Sequence, residues 1–275
     1  MRIALALEYD GRTFCGFQSQ PARCGVQDAL ERALREVAQA DVVAIPAGRT
    51  DAGVHALSQI VHADVPQNRP LSAWVRGVNA HLPPAIAMLW AHPVPDAFHA
   101  RFAATARHYA YLLLARPERP GLMAGRVGWY HRPLDLDAMR SAAALALGRH
   151  DFSSFRASGC QAKSPVKTIH RFELSARADL IRIDVSAAAF LHHMVRNLVG
   201  ALVEIGAGTA APAWLGELLD ARATARRARR RSRPTACTSA ARTTTRPTGC
   251  RRRGENWDSA ECRVRLDFPE CRGGM

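Results

Sequence analysis

Apolar and polar positions alternate along residues 2–9 closely enough to predict a strand, and the Asp10-Gly11 pair behind it is a turn signal. From Val26 to Val37 the apolar residues Val26, Leu30, Ala33, Leu34 and Val37 recur at helical spacing, with Asp28, Glu31, Arg32 and Arg35 on the outside. The pattern then predicts a short strand at Val42–Ile45 stopped by Pro46, a loop, and a strand from Gln59 to Val65. A helix over Leu71–Asn79, closed by Pro83-Pro84, and a strand over Ala85–Trp90 follow. Beyond Arg101, period-two alternation predicts a strand over Thr105–Leu114 with Tyr109, Tyr111 and Leu113 on one face. Leu136–Leu147 reads as a helix ended by Gly148, and Ile169–Ser175 and Leu180–Val185 as strands. Phe190–Ile205 reads as a long helix with Leu191, Met194, Val195, Leu198 and Leu202 as its apolar stripe. Several strands are consecutive and the alternation is not strict, which predicts an α+β fold over a doubly wound parallel sheet.

Composition narrows the class. With 48% hydrophobic and 23% charged residues in 275 positions, the chain can bury a sizeable core. No apolar run reaches the roughly 18 residues of a membrane span, and the first residues lack a signal-peptide core, so a cytoplasmic protein without a membrane partner is expected. The net charge of +14 is unevenly placed. Residues 222–275 hold 15 Arg and 5 acidic residues, so the first 221 positions carry only about +4 of it. Seven cysteines without a C-x-x-C pair make a poor disulfide framework, and free, reduced thiols are expected for Cys15, Cys24 and Cys160.

The candidate chemistry sits in Gly48-Arg49-Thr50-Asp51-Ala52-Gly53-Val54-His55-Ala56, between two predicted strands. On spacing alone, an aspartate with a glycine two residues on is an Asx turn without chemistry. The whole stretch, however, resembles the active-site loop of the tRNA pseudouridine synthase A family. Phe98-His99-Ala100-Arg101-Phe102 with Ala104 to Tyr111, Asp151-Phe152-Ser153-Ser154-Phe155-Arg156, and Phe190 to Gly200 resemble three further segments of that family, in order. Glu8-Tyr9-Asp10-Gly11, Gly16-Phe17-Gln18 and Val26-Gln27 agree as well, so the resemblance covers about residues 2–221.

That resemblance implies a pseudouridine synthase fold of two related α+β halves, with mostly antiparallel sheets joined across a basic cleft. The halves are expected at 1–104, carrying the Asp51 loop, and 105–221, carrying Tyr109 and Arg196. It implies a homodimer that isomerises uridine at positions 38, 39 and 40 of the tRNA anticodon stem-loop. Asp51 corresponds to the catalytic aspartate, Tyr109 to the tyrosine against the target base, Arg49 to the arginine two residues before the aspartate, and Arg196 to its late-helix partner. The reaction detaches uracil from ribose and rejoins it through carbon, so it requires no cofactor or metal. An ionised carboxylate suits it, and a guanidinium would keep an enclosed carboxylate charged and oriented. Arg101, Arg107 and Arg156 are expected to line the RNA cleft. Of the eleven histidines, the adjacent His192 and His193 would diverge by roughly 100° on the predicted helix, and no His-Glu-x-x-His motif occurs, so no metal site is expected.

The tail breaks the pattern. After Asp220-Ala221 the resemblance stops, and an Arg/Thr/Cys-rich stretch without apolar periodicity follows. The body holds 21 Arg against Lys163 and Lys167, which points to GC-rich codons. With codons chosen accordingly, Thr235–Ser239 read one nucleotide earlier gives Asp-Gly-Leu-Tyr-Phe, a sequence that fits the family's C-terminal end. Residues 222–275 are therefore expected to be frame-shifted and not natively folded, leaving a core sheet edge unpaired. Two rival readings are a non-catalytic basic RNA-binding protein in which Asp51 is a turn residue, and a nucleoside-processing hydrolase using Asp51 on free nucleotides, against which the absence of a phosphate-cradling glycine loop or metal motif counts.

Overall fold

The structure is a computed structural model and describes residues 1–66, 69–220 and 239–245. In chain order it comprises β1 (Arg2–Tyr9), α1 (Val26–Ala38), β2 (Ile45–Pro46), β3 (His55–Asp64), α2 (Leu71–His81), β4 (Ile86–Pro93), α3 (Ala100–Ala103) and β5 (Ala104–Ala115). There follow β6 (Gly128–Tyr130), α4 (Leu136–Leu145), β7 (Gly148–Asp151), β8 (Val166–Arg177), β9 (Leu180–Ala187), α5 (Met194–Gly206), α6 (Ala213–Asp220) and β10 (Ser239–Thr245). The strands form one sheet in the order β4-β1-β3-β10-β5-β9-β8-β7, with β2 added to β3 and β6 to β5. Pairing is antiparallel except between β10 and β3 and between β5 and β6, an α+β arrangement as expected.

Strand periodicity explains the first layer. Ile3, Leu5, Leu7 and Tyr9 of β1 enter a core with Leu30 and Leu34 of α1 and Trp74 and Val78 of α2. Ala4 and Ala6 face the other way, where small side chains let Ile60, Phe98 and Ala100 pack close. A second core lies under α4, α5 and α6, where Met139, Leu198, Leu202 and Leu215 meet Ile169, Ile183 and Val185 of the strands. These two clusters are the main driving force for folding, through removal of apolar surface from water.

Several expectations need correction. Val42–Ala44 do not join the sheet, although Val42 and Ala44 are buried. Side chains of α1 take the backbone groups of Ala44 instead: Ala44 N–H donates to Glu31 Oε1 at 3.0 Å, and Gln27 Nε2 donates to the Ala44 carbonyl at 3.2 Å. Asp28 is inside, not outside: it accepts from Gly25 N–H at 2.9 Å and from Ser19 Oγ at 2.6 Å, securing the start of α1. The helix expected from Phe190 begins only at Met194. Among features the pattern did not show are α6 and β7, the latter starting at Gly148, whose φ of +90° turns the chain out of α4.

Two corrections concern covalent and terminal structure. Cys15 and Cys24 are not free thiols; they form a disulfide, with Cα atoms 5.4 Å apart. The turn between them also brings Cys15 N–H to the Cys24 carbonyl at 3.0 Å, so local backbone geometry supplies a proximity that spacing does not reveal. The edge expected to be unpaired is filled: β10 lies between β3 and β5, with Ala241 opposite both Ala56 and Tyr109. Ladder pairing uses main-chain groups that every non-proline residue carries, and the segment Ser-Ala-Ala-Arg-Thr-Thr-Thr includes three β-favouring threonines. The remainder of the Arg-rich stretch, 221–238 and 246–275, lies outside the described residues, as does the shifted-frame reading of it.

Candidate active site

The Asp51 loop is held from below by backbone contacts. Phe17 N–H donates to the Thr50 carbonyl at 3.0 Å, Ala47 N–H to the Ile60 carbonyl at 2.8 Å, and Gln59 Nε2 to the Gly48 carbonyl. The buried Tyr9 hydroxyl shares a 2.7 Å hydrogen bond with Thr50 Oγ1. Burial of that phenol pushes its pKa above the ordinary tyrosine value, so it stays a neutral positioning group. Close approach of the disulfide-bearing turn to this loop depends on Gly16, with φ of +106°: a Cβ there would lie 2.9 Å from the Thr50 carbonyl oxygen.

Residues 51–54 do form a turn, but through the main chain. Val54 N–H donates to the Asp51 carbonyl at 3.1 Å, and Gly53 adopts the φ of +77° that a type II turn requires. The Asp51 side chain is thereby left out of the turn and is half-buried on a cavity of about 870 Å³. Tyr109, Arg49, Arg101, Arg107, Lys167 and Arg196 line the same cavity. That volume is within the roughly 300–1,000 Å³ of ligand-binding clefts.

The expected partner of Asp51 is replaced by two others. Among the described residues, no ion pair joins Asp51 to Arg196, although both line the cavity. The carboxylate instead faces His192 Nε2 at 3.4 Å and His193 Nε2 at 3.6 Å. Adjacent histidines diverge on a helix, but neither residue is helical. Met194 N–H bonds the Leu191 carbonyl at 3.0 Å, making His192 and His193 the central residues of a turn, and His193 takes the left-handed φ of +61°. The two rings thus lie 4.0 Å apart and address one carboxylate. His192 N–H donates to Cys160 Sγ at 3.4 Å, and Ala157 N–H to the His192 carbonyl at 3.1 Å, which fixes this turn to the 157–160 segment. Burial raises the Cys160 pKa, but hydrogen bonding from Ala162, His192 and Arg156 outweighs it and the thiol is shifted down overall.

Tyr109 stands on β5 with its ring edge-on to Phe190 at 5.0 Å. The arginines divide. Arg107 is a strut as well as a lining residue: it donates to the carbonyls of Ala47 at 2.8 Å, Ala188 at 2.6 Å and Arg101 at 3.1 Å, tying the Asp51 loop to the segment before α5. Burial lowers its pKa from the usual guanidinium value. Arg156 does not line the cavity as expected, because its guanidinium is engaged by the carbonyls of Cys160 and Ala162.

A family model described as tRNA pseudouridine synthase matches residues 5–103 and 142–239. The chain belongs to the tRNA pseudouridine synthase family. It is 60% identical over 223 residues to tRNA pseudouridine synthase A of Chromobacterium violaceum, covering 81% of this chain and 85% of that one. It is 58% identical over 222 residues to the synthase of the same name from Thiobacillus denitrificans, again covering 81% and 85%. The family match reaches residue 239, beyond the limit near Asp220 expected from the motifs. A solved structure titled "Crystal Structure of a Cbf5-Nop10-Gar1 Complex" aligns over 73% of this chain and 45% of that one at 9% identity and a TM-score of 0.32, a distant likeness.

Proposed function

We propose that this synthase isomerises uridine to pseudouridine at positions 38, 39 and 40 of the tRNA anticodon stem-loop, with Asp51 as the catalytic carboxylate. The observation that carries the reading is the Asp51 side chain, free of its own turn, opening with Tyr109 onto a cavity rich in guanidinium groups. The reaction breaks the bond between ribose C1′ and uracil N1 and forms one between C1′ and C5. The proton on C5 is lost and N1 gains one, so the sum is an isomerisation. Asp51 serves the step in which base and sugar are separate, by attack or by charge stabilisation. Tyr109 gives the extracted base a flat partner, with Phe190 bracing its ring. Arg49 and Arg196 bind the RNA beside it, where cationic side chains meet phosphate. The protein acts as a cytoplasmic homodimer on folded tRNA. No described helix is long and apolar enough to cross a membrane.

The test is Asp51→Ala. Conversion of uridine in unmodified tRNA should fall on the order of 10⁴-fold or more, while tRNA binding measured by gel shift stays close to the parent's. Retained conversion would remove Asp51 from the chemistry. Free uridine should not be turned over, and turnover of it would favour a nucleoside-processing enzyme.

A further inference from the structure

Asp51, His192 and His193 each offer one ligand atom, and these atoms all lie within 4.8 Å of one another. Their contacts are long for what an ion pair would give. A charge-assisted N–H···O bond is about 2.7–2.9 Å, whereas the two imidazole-to-carboxylate distances are 3.4 and 3.6 Å. They are closer to a different geometry. Ligands about 2.0–2.1 Å from a tetrahedral zinc ion stand about 3.3–3.5 Å from each other. Each imidazole Nε2 thus stands near that spacing from one carboxylate oxygen, His192 from Oδ1 and His193 from Oδ2, and all three groups are within reach of one ion. The turn that sets them there is rigidly held, through the Leu191–Met194 hydrogen bond and the Cys160 contact.

We propose that Asp51, His192 and His193 form a binding site for a divalent cation of the zinc class, and that the bound ion inhibits the synthase by engaging Asp51. Two imidazoles and one carboxylate with a position left open is a donor set that suits zinc. The open side faces the cavity, where the substrate base would otherwise approach. Arg49 and Arg196 on the same cavity oppose a cation, which keeps the affinity modest and the binding reversible by chelator. The inhibitory half of the proposal rests on Asp51 being catalytic; the binding half rests on the three side chains alone.

The two halves are tested separately on the full chain. Zinc chloride titrated calorimetrically, and cobalt(II) followed by its visible absorption, should show one equivalent in the parent that is missing or at least about tenfold weaker in His192→Gln and in His193→Asn. Asparagine is chosen because it tolerates the left-handed backbone of His193, and circular dichroism with thermal melting verifies that both variants fold. Cysteine-bound metal would appear equally in all three proteins, so the loss of one equivalent is the diagnostic quantity. An unchanged stoichiometry and affinity in folded variants, or no binding in the parent, overturns the site. Zinc should also suppress pseudouridine formation, with recovery on adding EDTA; binding without suppression overturns the inhibitory role. If Asp51→Ala proves active while the calorimetric result holds, the metal site survives and the catalytic assignment fails.

Discussion

At the scale of single residues, environment decides what each polar side chain can do. Tyr109 is braced by Phe190, so removing its ring and removing its hydroxyl are separable. Tyr109→Ala should lose the stacking contribution, about 1–3 kcal/mol per base, or roughly 5- to 150-fold in apparent affinity. Tyr109→Phe should keep it, and initial rates with gel-shift affinities distinguish the two. An alanine variant indistinguishable from the parent would take Tyr109 out of base recognition. His62 carries a pH signature. It is buried, it accepts from Ala100 N–H through Nδ1 at 3.1 Å, and burial together with the neighbouring His99 lowers its pKa to about 4. The folded state therefore binds fewer protons than the unfolded chain between about pH 4 and the ordinary value near 6.5. Its stabilising contribution is complete above that window and is lost as pH falls through it. Melting temperature should drop across this range, and His62→Gln should flatten the drop; an unaltered pH profile in the variant would show that another group is responsible.

At the scale of elements, short connecting segments position the chemistry while the regular elements carry the fold. The Cys15–Cys24 disulfide closes the turn whose Phe17 and Gly16 support the Thr50–Asp51 backbone. Constraining a loop of this length stabilises by about 2–3 kcal/mol in the chain-entropy account. Cys15→Ser, or reduction of the parent by dithiothreitol, should lower the melting temperature, and the reductant should have little further effect on the variant. Equal melting of parent and variant under oxidising conditions would count against the bridge in solution. Periodicity could show β1, α1 and β5, because each buries one repeating face. It could not show that Glu31 and Gln27 satisfy the Ala44 backbone, or that a turn precedes α5, because both depend on side chains distant in sequence or on one left-handed residue.

At the scale of the whole molecule, the Asp51 loop leads into β3 and Tyr109 stands on β5, two strands that do not pair with each other. β10 lies between them, parallel to β3 and antiparallel to β5, and Arg107 adds a second tie from β5 to the Ala47 carbonyl. A third runs through Asp10, whose carboxyl is held down at about 2 by hydrogen bonds from Arg12, with His55 Nδ1 at 3.2 Å and Arg126 at 3.5 Å alongside. Truncation after Asp220 removes β10 and leaves the facing edges of β3 and β5 with unpaired main-chain groups. The truncated protein should melt at a lower temperature and scatter more light on heating. If it melts and converts tRNA as the full chain does, the inserted strand contributes neither stability nor registry.

Sequence by itself determined the α+β class, most of the strands and helices, and the family motifs that single out Asp51, Tyr109, Arg49 and Arg196. It could do so because burial periodicity is a local property and because an ordered set of motifs is specific. Only the tertiary structure decided which groups face the Asp51 carboxylate, that Cys15 and Cys24 join, and that Arg156 is occupied by loop carbonyls. Those are contacts between segments far apart along the chain, or across turns whose dihedral angles no spacing rule encodes. Whether two histidines diverge or converge on one carboxylate turns on the sign of a single φ angle at His193.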